Sequence, residues 1–387
     1  MWEAINDMLD AKYGDMVSIR RYLHQHPELS FQEEKTVQYI AATYEEIGIP
    51  YEQNVGGNGV IARLKGNKPG KTIALRADFD ALPIQDEKEA PYKSTVDGVM
   101  HACGHDGHTA TLLTVAKVLK EHQADLAGTI VFVHQHAEEL APGGAKPIVE
   151  SGVLDDVDLV FGAHLWTNTP YGLVQTAEKE FMAGADRFSI EIQGKGGHGA
   201  IPQQTKDAIV IGSQLVSNLQ QIVSRRIDPL STAVLSIGTF HAGNTFNIIA
   251  DTAEVTGTVR TFDQALQQQI IDEMEDIIKG TCIGYGASYT FNYEKGYPPV
   301  VNHAKEANVV IKAATQVSEV TEAALVEPTM TGEDFSYYLL EKPGAFFFVG
   351  AQQEGNFQPH HHPKFDIDER AMLVAAKTFI EILKNYQ

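Results

Sequence analysis

Short, continuously apolar segments that alternate with helical ones are the feature that most constrains the fold of this chain. Four of these segments have the character of strands: 60–64, 72–76, 129–133 and 159–163. Strands that are apolar on both faces are typical of a largely parallel sheet covered by helices. The sequence therefore predicts an α/β fold. A sheet of this kind binds its ligands beyond the carboxyl ends of the strands.

The pattern changes near residue 183. From there the predicted elements are a strand at 188–192, a helix at 208–223, strands at 233–237 and 254–260, a helix at 265–278 and a strand at 289–293. This βαββαβ order is that of the ferredoxin-like unit. Because 387 residues are enough for two domains, we predict a first domain formed by 1–182 and 296–387. The segment 183–295 is then an inserted domain.

One stretch concentrates groups that bind metals. Within eight residues it contains His101, Cys103, His105, Asp106 and His108. An apolar run follows directly, which indicates a ligand-bearing loop that leads into a helix. Imidazole and thiolate groups bind zinc-like metals, but two ligands do not complete a site. The remaining ligands must come from other parts of the chain.

Polar residues follow three of the predicted strands. Asp78 follows the second, the pair Glu138 and Glu139 follows the third, and His164 ends the fourth. In an extended chain neighbouring side chains point to opposite sides, which leaves one glutamate to hold a metal and the other to face a bound water. The alternatives stay open here: a solvated acidic turn for the glutamates, a core histidine for His164, and a loop with accidental histidines at 360–362.

The charge of the chain excludes two classes of partner. Its 51 acidic and 30 basic residues give a formal charge of -21, which repels nucleic-acid phosphates and anionic lipids. The only two cysteines, Cys103 and Cys282, suit a reducing cytosol. The first residues lack the basic and apolar regions of a signal peptide, and no segment has the length of a membrane span. We therefore expect a cytoplasmic protein without nucleic-acid or membrane partners.

Several motifs, in one order along nearly the whole chain, resemble a known family. They are RYLHQHPELS at 21–30, LRADFDALPI at 75–84, HACGHDGHT at 101–109, HAEE at 136–139, GHGA at 197–200 and GEDF at 332–335. Together they resemble the bacterial aminoacylases (N-acyl-L-amino acid amidohydrolases), hippurate hydrolases and plant indole-acetyl-amino acid hydrolases, a branch of the dinuclear-metal exopeptidases. The resemblance implies a zinc-exopeptidase-like catalytic domain with an inserted lid or dimerisation domain.

By position, the resemblance also implies a set of site residues. It implies two divalent metal ions per subunit, for which zinc or manganese is expected rather than nickel or cobalt. Their ligands would be Cys103, His105, Glu139, His164 and His361, with Cys103 shared by both ions. Glu138 would be the general base and His198 would stabilise the oxyanion. Asn247 and Arg260 would hold the substrate carboxylate. Asp78 would orient its neighbours in the catalytic site rather than bind metal.

The implied reaction is hydrolysis of the amide bond of N-acyl amino acids, with acetyl, benzoyl or similar acyl groups, by a metal-activated water. The alternatives are a metal-dependent dipeptidase or carboxypeptidase acting on short peptides, a thiol hydrolase with Cys103 as nucleophile, and a non-catalytic binder of acylated amino acids. Paired glutamates argue against a pure binder, which needs no base beside a metal. The resemblance further implies a homodimer or higher homo-oligomer formed through the inserted domain.

Overall fold

An eight-stranded sheet forms the centre of the larger of two units in this computed structural model, which describes residues 1–386. The larger unit comprises Met1–Phe181, Val301–Pro328 and the chain from Asp334 onward. The smaller unit comprises Met182–Val300 together with the short segment Thr329–Glu333.

The secondary structure alternates between helices and strands along most of the chain. The helices are α1 Trp2–Ala11, α2 Tyr13–Gln25, α3 Glu34–Ile47, α4 His105–Glu121, α5 Ala145–Glu150, α6 Ala208–Leu219, α7 Gln264–Tyr285, α8 Ala304–Ala314, α9 Ser336–Glu341 and α10 Arg370–Lys384. The strands are β1 Tyr51–Val55, β2 Gly59–Lys65, β3 Lys68–Asp78, β4 Ala127–Gln135, β5 Leu159–Pro170, β6 Leu173–Thr176, β7 Glu180–Met182, β8 Gly184–Gln193, β9 Gly197–His198, β10 Ala233–Ala242, β11 Ile248–Ile249, β12 Thr252–Thr261, β13 Ser288–Tyr297, β14 Val300–Val301, β15 Glu322–Leu325 and β16 Gly344–Gln352. Between Met1 and Tyr386 no helix has both the length and the apolar character that a membrane span requires.

The large sheet has the strand order β1-β2-β4-β3-β5-β16-β6-β15. Its central strands β4, β3, β5 and β16 run parallel, whereas β2 pairs antiparallel with β1 and β4, and β6 pairs antiparallel with β16. Helix α4 packs on β3 and β5, and α8 and α10 pack on β16. The predicted α/β class, a mostly parallel sheet flanked by helices, is confirmed.

Large apolar side chains in register hold the central strands together. Leu75 on β3 lies beside Phe132 on β4 and Phe161 on β5, and all three are completely buried. Burial of a side chain of this size stabilises the fold by about 1.5–3 kcal/mol. The strand ends of this part of the sheet are therefore rigidly placed relative to one another.

Strand β5 is longer than the sequence predicts. The predicted end at His164 is wrong, because β5 continues to Pro170. Strand β3 pairs with β5 only as far as Gly162, whereas β16 accompanies β5 to its end. His164 therefore lies inside a strand, just beyond the point where the neighbouring β3 pairing stops.

The smaller unit is a four-stranded antiparallel sheet with two main helices. Its strand order is β10-β12-β8-β13, and numbered within the βαββαβ unit this is 2-3-1-4, the order of a ferredoxin-like sheet. The apolar face of β8, from Phe188 to Ile192, packs in one cluster with Ile211 of α6 and Met274 of α7. Helix α6 begins where the Asp207 side chain accepts a hydrogen bond from the Ile209 amide.

A buried guanidinium ties distant parts of the larger unit together. Arg20 on α2 is fully buried and donates to Asp106 at 2.8 Å, Asp366 at 2.7 Å and Glu369 at 3.1 Å. Burial alone would raise the pKa of Asp106, but Arg20 and His24 hold this pKa well below its ordinary value. Because Asp106 follows His105 directly, the network fixes the start of helix α4 against α2 and the C-terminal segment.

Replacing Arg20 by Met should destabilise the chain by about 3–5 kcal/mol, because Asp106 and Asp366 would be left buried without their cation. Arg21 is the matched control, since it is 44% exposed and also pairs with Glu369. Arg21→Met should cost less than about 1 kcal/mol. Urea denaturation of the two variants beside the parent chain measures both values, and equal losses would contradict the assignment.

Candidate metal centre

Five side chains of the larger unit converge at the carboxyl edge of the central strands. The ligand atoms of Cys103, His105 and His164 lie within 4.8 Å of one another, and so do those of Cys103, Glu139 and His361. The cysteine belongs to both groups. These are the five residues that the family resemblance implies as ligands. Two groups with one thiol in common are suited to two cations that share a bridging thiolate.

The hydrogen bonds of two imidazoles leave a lone pair directed into the cluster. His105 Nδ1 lies 3.0 Å from the carbonyl oxygen of Asp80, and His164 Nδ1 lies 3.1 Å from that of Leu165. Since a carbonyl can only accept, each Nδ1 carries a proton, and in the neutral ring the lone pair that can bind a metal is on Nε2. His105 Nε2 is buried without a hydrogen-bond partner in residues 1–386. An imidazole held in this way by its other nitrogen is typical of a metal ligand.

The charges around the cluster favour a cation. Burial opposes protonation of His105, yet Asp78, Asp80 and Glu139 raise its pKa to about 10. Burial, reinforced by Glu139 and other carboxylates, raises the pKa of Cys103 well above its ordinary value. The surroundings thus hold the thiol protonated until a cation replaces the protons, as metal binding to thiol and imidazole ligands requires. The donor set of sulfur, nitrogen and oxygen atoms therefore fits divalent metal ions.

Both glutamates after β4 point into the cluster, against the expectation that they diverge. A carboxylate oxygen of Glu138 and one of Glu139 each lie 3.9 Å from His105 Nε2. The expectation assumed an extended backbone, but β4 ends at Gln135 and Ala137 adopts a φ of +52°. Glu33 accepts a hydrogen bond from the Ala137 amide at 2.9 Å and so holds this left-handed turn.

Asp78 occupies a supporting position beside the ligands. One of its oxygens accepts from Arg76 at 2.6 Å and the other accepts from His108 Nδ1 at 2.6 Å. The nearest ligand nitrogen, His105 Nε2, is 3.7 Å away. His108 uses its second nitrogen to accept from the Leu165 amide at 2.9 Å, so neither ring nitrogen is left for a metal. This arrangement supports the proposal that Asp78 orients its neighbours.

Asp80 supports two candidate ligands, a role that the predicted set of site residues does not include. Its carbonyl holds His105, and its carboxylate accepts from Ser30 Oγ at 2.7 Å and from the Glu139 amide at 3.0 Å. It therefore positions two of the candidate ligands at once. The signal in the sequence is its spacing from Asp78, because alternate residues at a strand end lie on the same side.

The remaining candidates lie in the smaller unit. His198 on β9 pairs with Ile248 on β11, and its exposed ring accepts from the Ala200 amide through Nδ1 at 3.0 Å. Asn247 is exposed beside the β9–β11 pair, where its backbone carbonyl accepts a hydrogen bond from the Gly199 amide at 3.0 Å. Arg260 is half-buried towards the other end of β12 and donates to the Val259 carbonyl at 3.2 Å. Within this unit the structure brings His198 and Asn247 together, without Arg260.

Comparisons with known proteins agree with this geometry. Residues 74–385 match the family described as Peptidase family M20/M25/M40. The chain is 50% identical to an N-acyl-L-amino acid amidohydrolase of Geobacillus stearothermophilus, over 78% of this chain and 81% of that protein. It is 41% identical to thermostable carboxypeptidase 2 of Saccharolobus solfataricus, over 93% and 92% of the two chains. A crystal structure of a Bacillus subtilis dinuclear metal binding peptidase is similar with a TM-score of 0.83 and 38% identity, covering 97% of this chain and 98% of that one.

Replacing His105 by Ala should lower the number of metal ions retained per chain, because its Nε2 belongs to the first ligand group. His101→Ala is the matched control: His101 lies in the same stretch, is 2% exposed against 1% for His105, and belongs to none of the ligand groups found in residues 1–386. This control should retain the parent metal content. Elemental analysis after loading with Zn²⁺ or Mn²⁺ and desalting gives the comparison, and equal content in both variants would refute the assignment.

Proposed function

The chain belongs to Peptidase family M20/M25/M40, and on this premise we propose that it is a metal-dependent amidohydrolase that cleaves N-acyl amino acids. The observation that carries the proposal is the pair of ligand groups sharing Cys103, with Glu138 beside them. The relative at 50% identity is named for this activity.

The proposed ligands are Cys103, His105, Glu139, His164 and His361. Bound there, two divalent ions would supply a Lewis acid for the amide carbonyl and an activated water at neutral pH. A thiolate ligand favours zinc, whereas imidazole and carboxylate also accept manganese, nickel and cobalt. We propose zinc or manganese as the ions in use.

Glu138 is the proposed general base. Its carboxylate reaches the same space as Glu139, and only one of two adjacent carboxylates is needed to complete the second ligand group. Glu138 would take a proton from the attacking water and return it to the leaving nitrogen, which becomes the free amine. The turn at Ala137 is what brings this base to the ligands.

Residues of the smaller unit are proposed to bind the substrate. His198 accepts a backbone hydrogen bond at Nδ1, so a neutral ring carries its proton on Nε2 and can donate to a developing oxyanion. Arg260 offers a guanidinium suited to the substrate carboxylate, and Asn247, which lies beside His198 and apart from Arg260, offers an amide that can donate to the substrate. Together they would select substrates that end in a free carboxylate.

A second candidate is a metal-dependent carboxypeptidase or dipeptidase. It is favoured by the 41% identical relative that is named as a carboxypeptidase. The bond cleaved is again an amide next to a free carboxylate, so the two candidates differ only in the acyl side of the substrate. A thiol hydrolase is disfavoured, because burial and the nearby carboxylates raise the pKa of Cys103 and a nucleophilic thiol needs the opposite shift.

We also propose a cytoplasmic homodimer or higher oligomer formed through the smaller unit. Both cysteines are free and buried, as is usual for chains in a reducing compartment. Strand β10 is an edge of its sheet, and the same unit exposes Leu230 by 94% and Phe246 by 100%. An edge strand and exposed apolar side chains are features that a subunit interface covers.

Glu138→Gln should retain both metal ions but lower the rate of amine release by about 10²-fold to 10⁴-fold, because it removes the proton acceptor alone. Glu139→Gln, the same change one residue on, should lose bound metal together with activity. Metal content and ninhydrin detection of amine from N-acetyl amino acids give the two readouts. Equal metal loss in both variants would contradict the division of roles.

Chelation distinguishes a metal enzyme from a thiol enzyme. Treatment with EDTA should abolish amine release from a panel of N-acetyl and N-benzoyl amino acids and dipeptides, and Zn²⁺ or Mn²⁺ should restore it. The preferred member of the panel separates the aminoacylase from the dipeptidase. Activity that survives EDTA but is lost on alkylation of Cys103 would favour the thiol hydrolase.

A further inference from the structure

His360 precedes the candidate ligand His361, and its ring also lies beside the thiol of Cys103. Its Nδ1 lies 3.6 Å from Cys103 Sγ. Its other nitrogen, Nε2, accepts a hydrogen bond from the backbone amide of Thr167 at 3.1 Å. The sequence leaves a loop with accidental histidines at 360–362 as an alternative, and the family resemblance selects only His361 as a ligand. The contacts of His360 now distinguish it from both neighbours.

The hydrogen bond from Thr167 decides which nitrogen of His360 carries the proton. A backbone amide can only donate, so Nε2 must present a lone pair, and the proton of the neutral ring is on Nδ1. His360 therefore directs an N–H group at Cys103. His164 does the reverse, because its Nδ1 donates to the Leu165 carbonyl and its unprotonated Nε2 lies 3.4 Å from the same sulfur.

Aromatic packing holds the His360 ring in this orientation. The ring stacks on Trp166 with centroids 4.5 Å apart and an interplanar angle of 29°, and Phe365 packs 5.0 Å from it. Trp166 is itself stacked on Phe348 at 4.3 Å. Because Trp166 and Phe348 lie on adjacent strands β5 and β16, the imidazole is fixed to the rigid part of the sheet.

We propose that His360 is a positioning residue that donates its Nδ1–H to the Cys103 thiolate and is not itself a ligand. The inference rests on the proposed function, in which this thiolate is shared by two metal ions. Glu139, Glu138 and Asp78 all act on the thiol with negative charge. A neutral N–H donor stabilises the thiolate in these surroundings without adding a cation or occupying a ligand position.

The test uses the full chain loaded with Co²⁺, whose thiolate-to-cobalt charge-transfer band reports directly on the sulfur. His360→Phe keeps a ring to stack on Trp166 but removes the N–H, and the band should move to longer wavelength because the thiolate loses a donor. His360→Asn loses the ring but restores an N–H near the position of Nδ1, and its band should stay near that of the parent chain. His362→Phe, two residues on, is the control and should leave the band unchanged.

The outcomes separate this inference from the proposed function. A parent chain that binds cobalt without a thiolate band would refute Cys103 as a ligand, and the inference with it. A parent band that neither variant shifts, or that both shift equally, would overturn the role of His360 alone. If His360→Phe takes up no cobalt, uptake by His360→Asn with the parent band supports the donor. Loss of cobalt uptake in both variants would identify His360 as a ligand and overturn the inference.

Discussion

The common edge at which β4, β3, β5 and β16 end is the constraint on which the site depends. Parallel strands present their carboxyl ends on the same side, and here those ends deliver Asp78, Asp80 and the two glutamates after β4. Strand β5 continues beyond its last pair with β3, at Gly162, and so places His164 just past that point. Residues that are distant in sequence therefore meet because a rigid apolar sheet places the ends of their strands together.

Four of the five candidate ligands are held in position by hydrogen bonds, which for two of them also fix the tautomer. Backbone carbonyls of Asp80 and Leu165 set the tautomers of His105 and His164. The Asp80 carboxylate holds the Glu139 amide, and the His361 amide donates to the Ala102 carbonyl at 2.8 Å. The ligands are thus prearranged by hydrogen bonds in which most acceptors are backbone groups, whose positions follow from the strands and from helix α4.

Much of the fold and part of the site could be predicted from the sequence, because strand pattern and motif spacing are local. Continuous apolar runs are enough to predict the parallel strands, and HACGHDGHT is dense enough to indicate a metal site. The end of β5 could not be predicted, since it depends on pairing with β16, far away in the chain. The direction of Glu138 and Glu139 depends on the left-handed Ala137, and that of His360 on a backbone amide of β5. Such features arise from tertiary contacts that no local pattern encodes.

Two of the four non-glycine residues with a positive φ in residues 1–386 lie where the candidate ligands are delivered. Ala137, before the glutamates, has a φ of +52°, and His361 has a φ of +65°. A left-handed conformation costs a residue with a side chain roughly 1–2 kcal/mol, and such strain persists only where other contacts enforce it. At Ala137 the left-handed conformation is held by the hydrogen bond from its amide to Glu33. At His361 it is held by the hydrogen bond from its amide to the Ala102 carbonyl. Because a bound cation would add to these restraints in the folded chain alone, metal binding and the stability of the larger unit are thermodynamically linked.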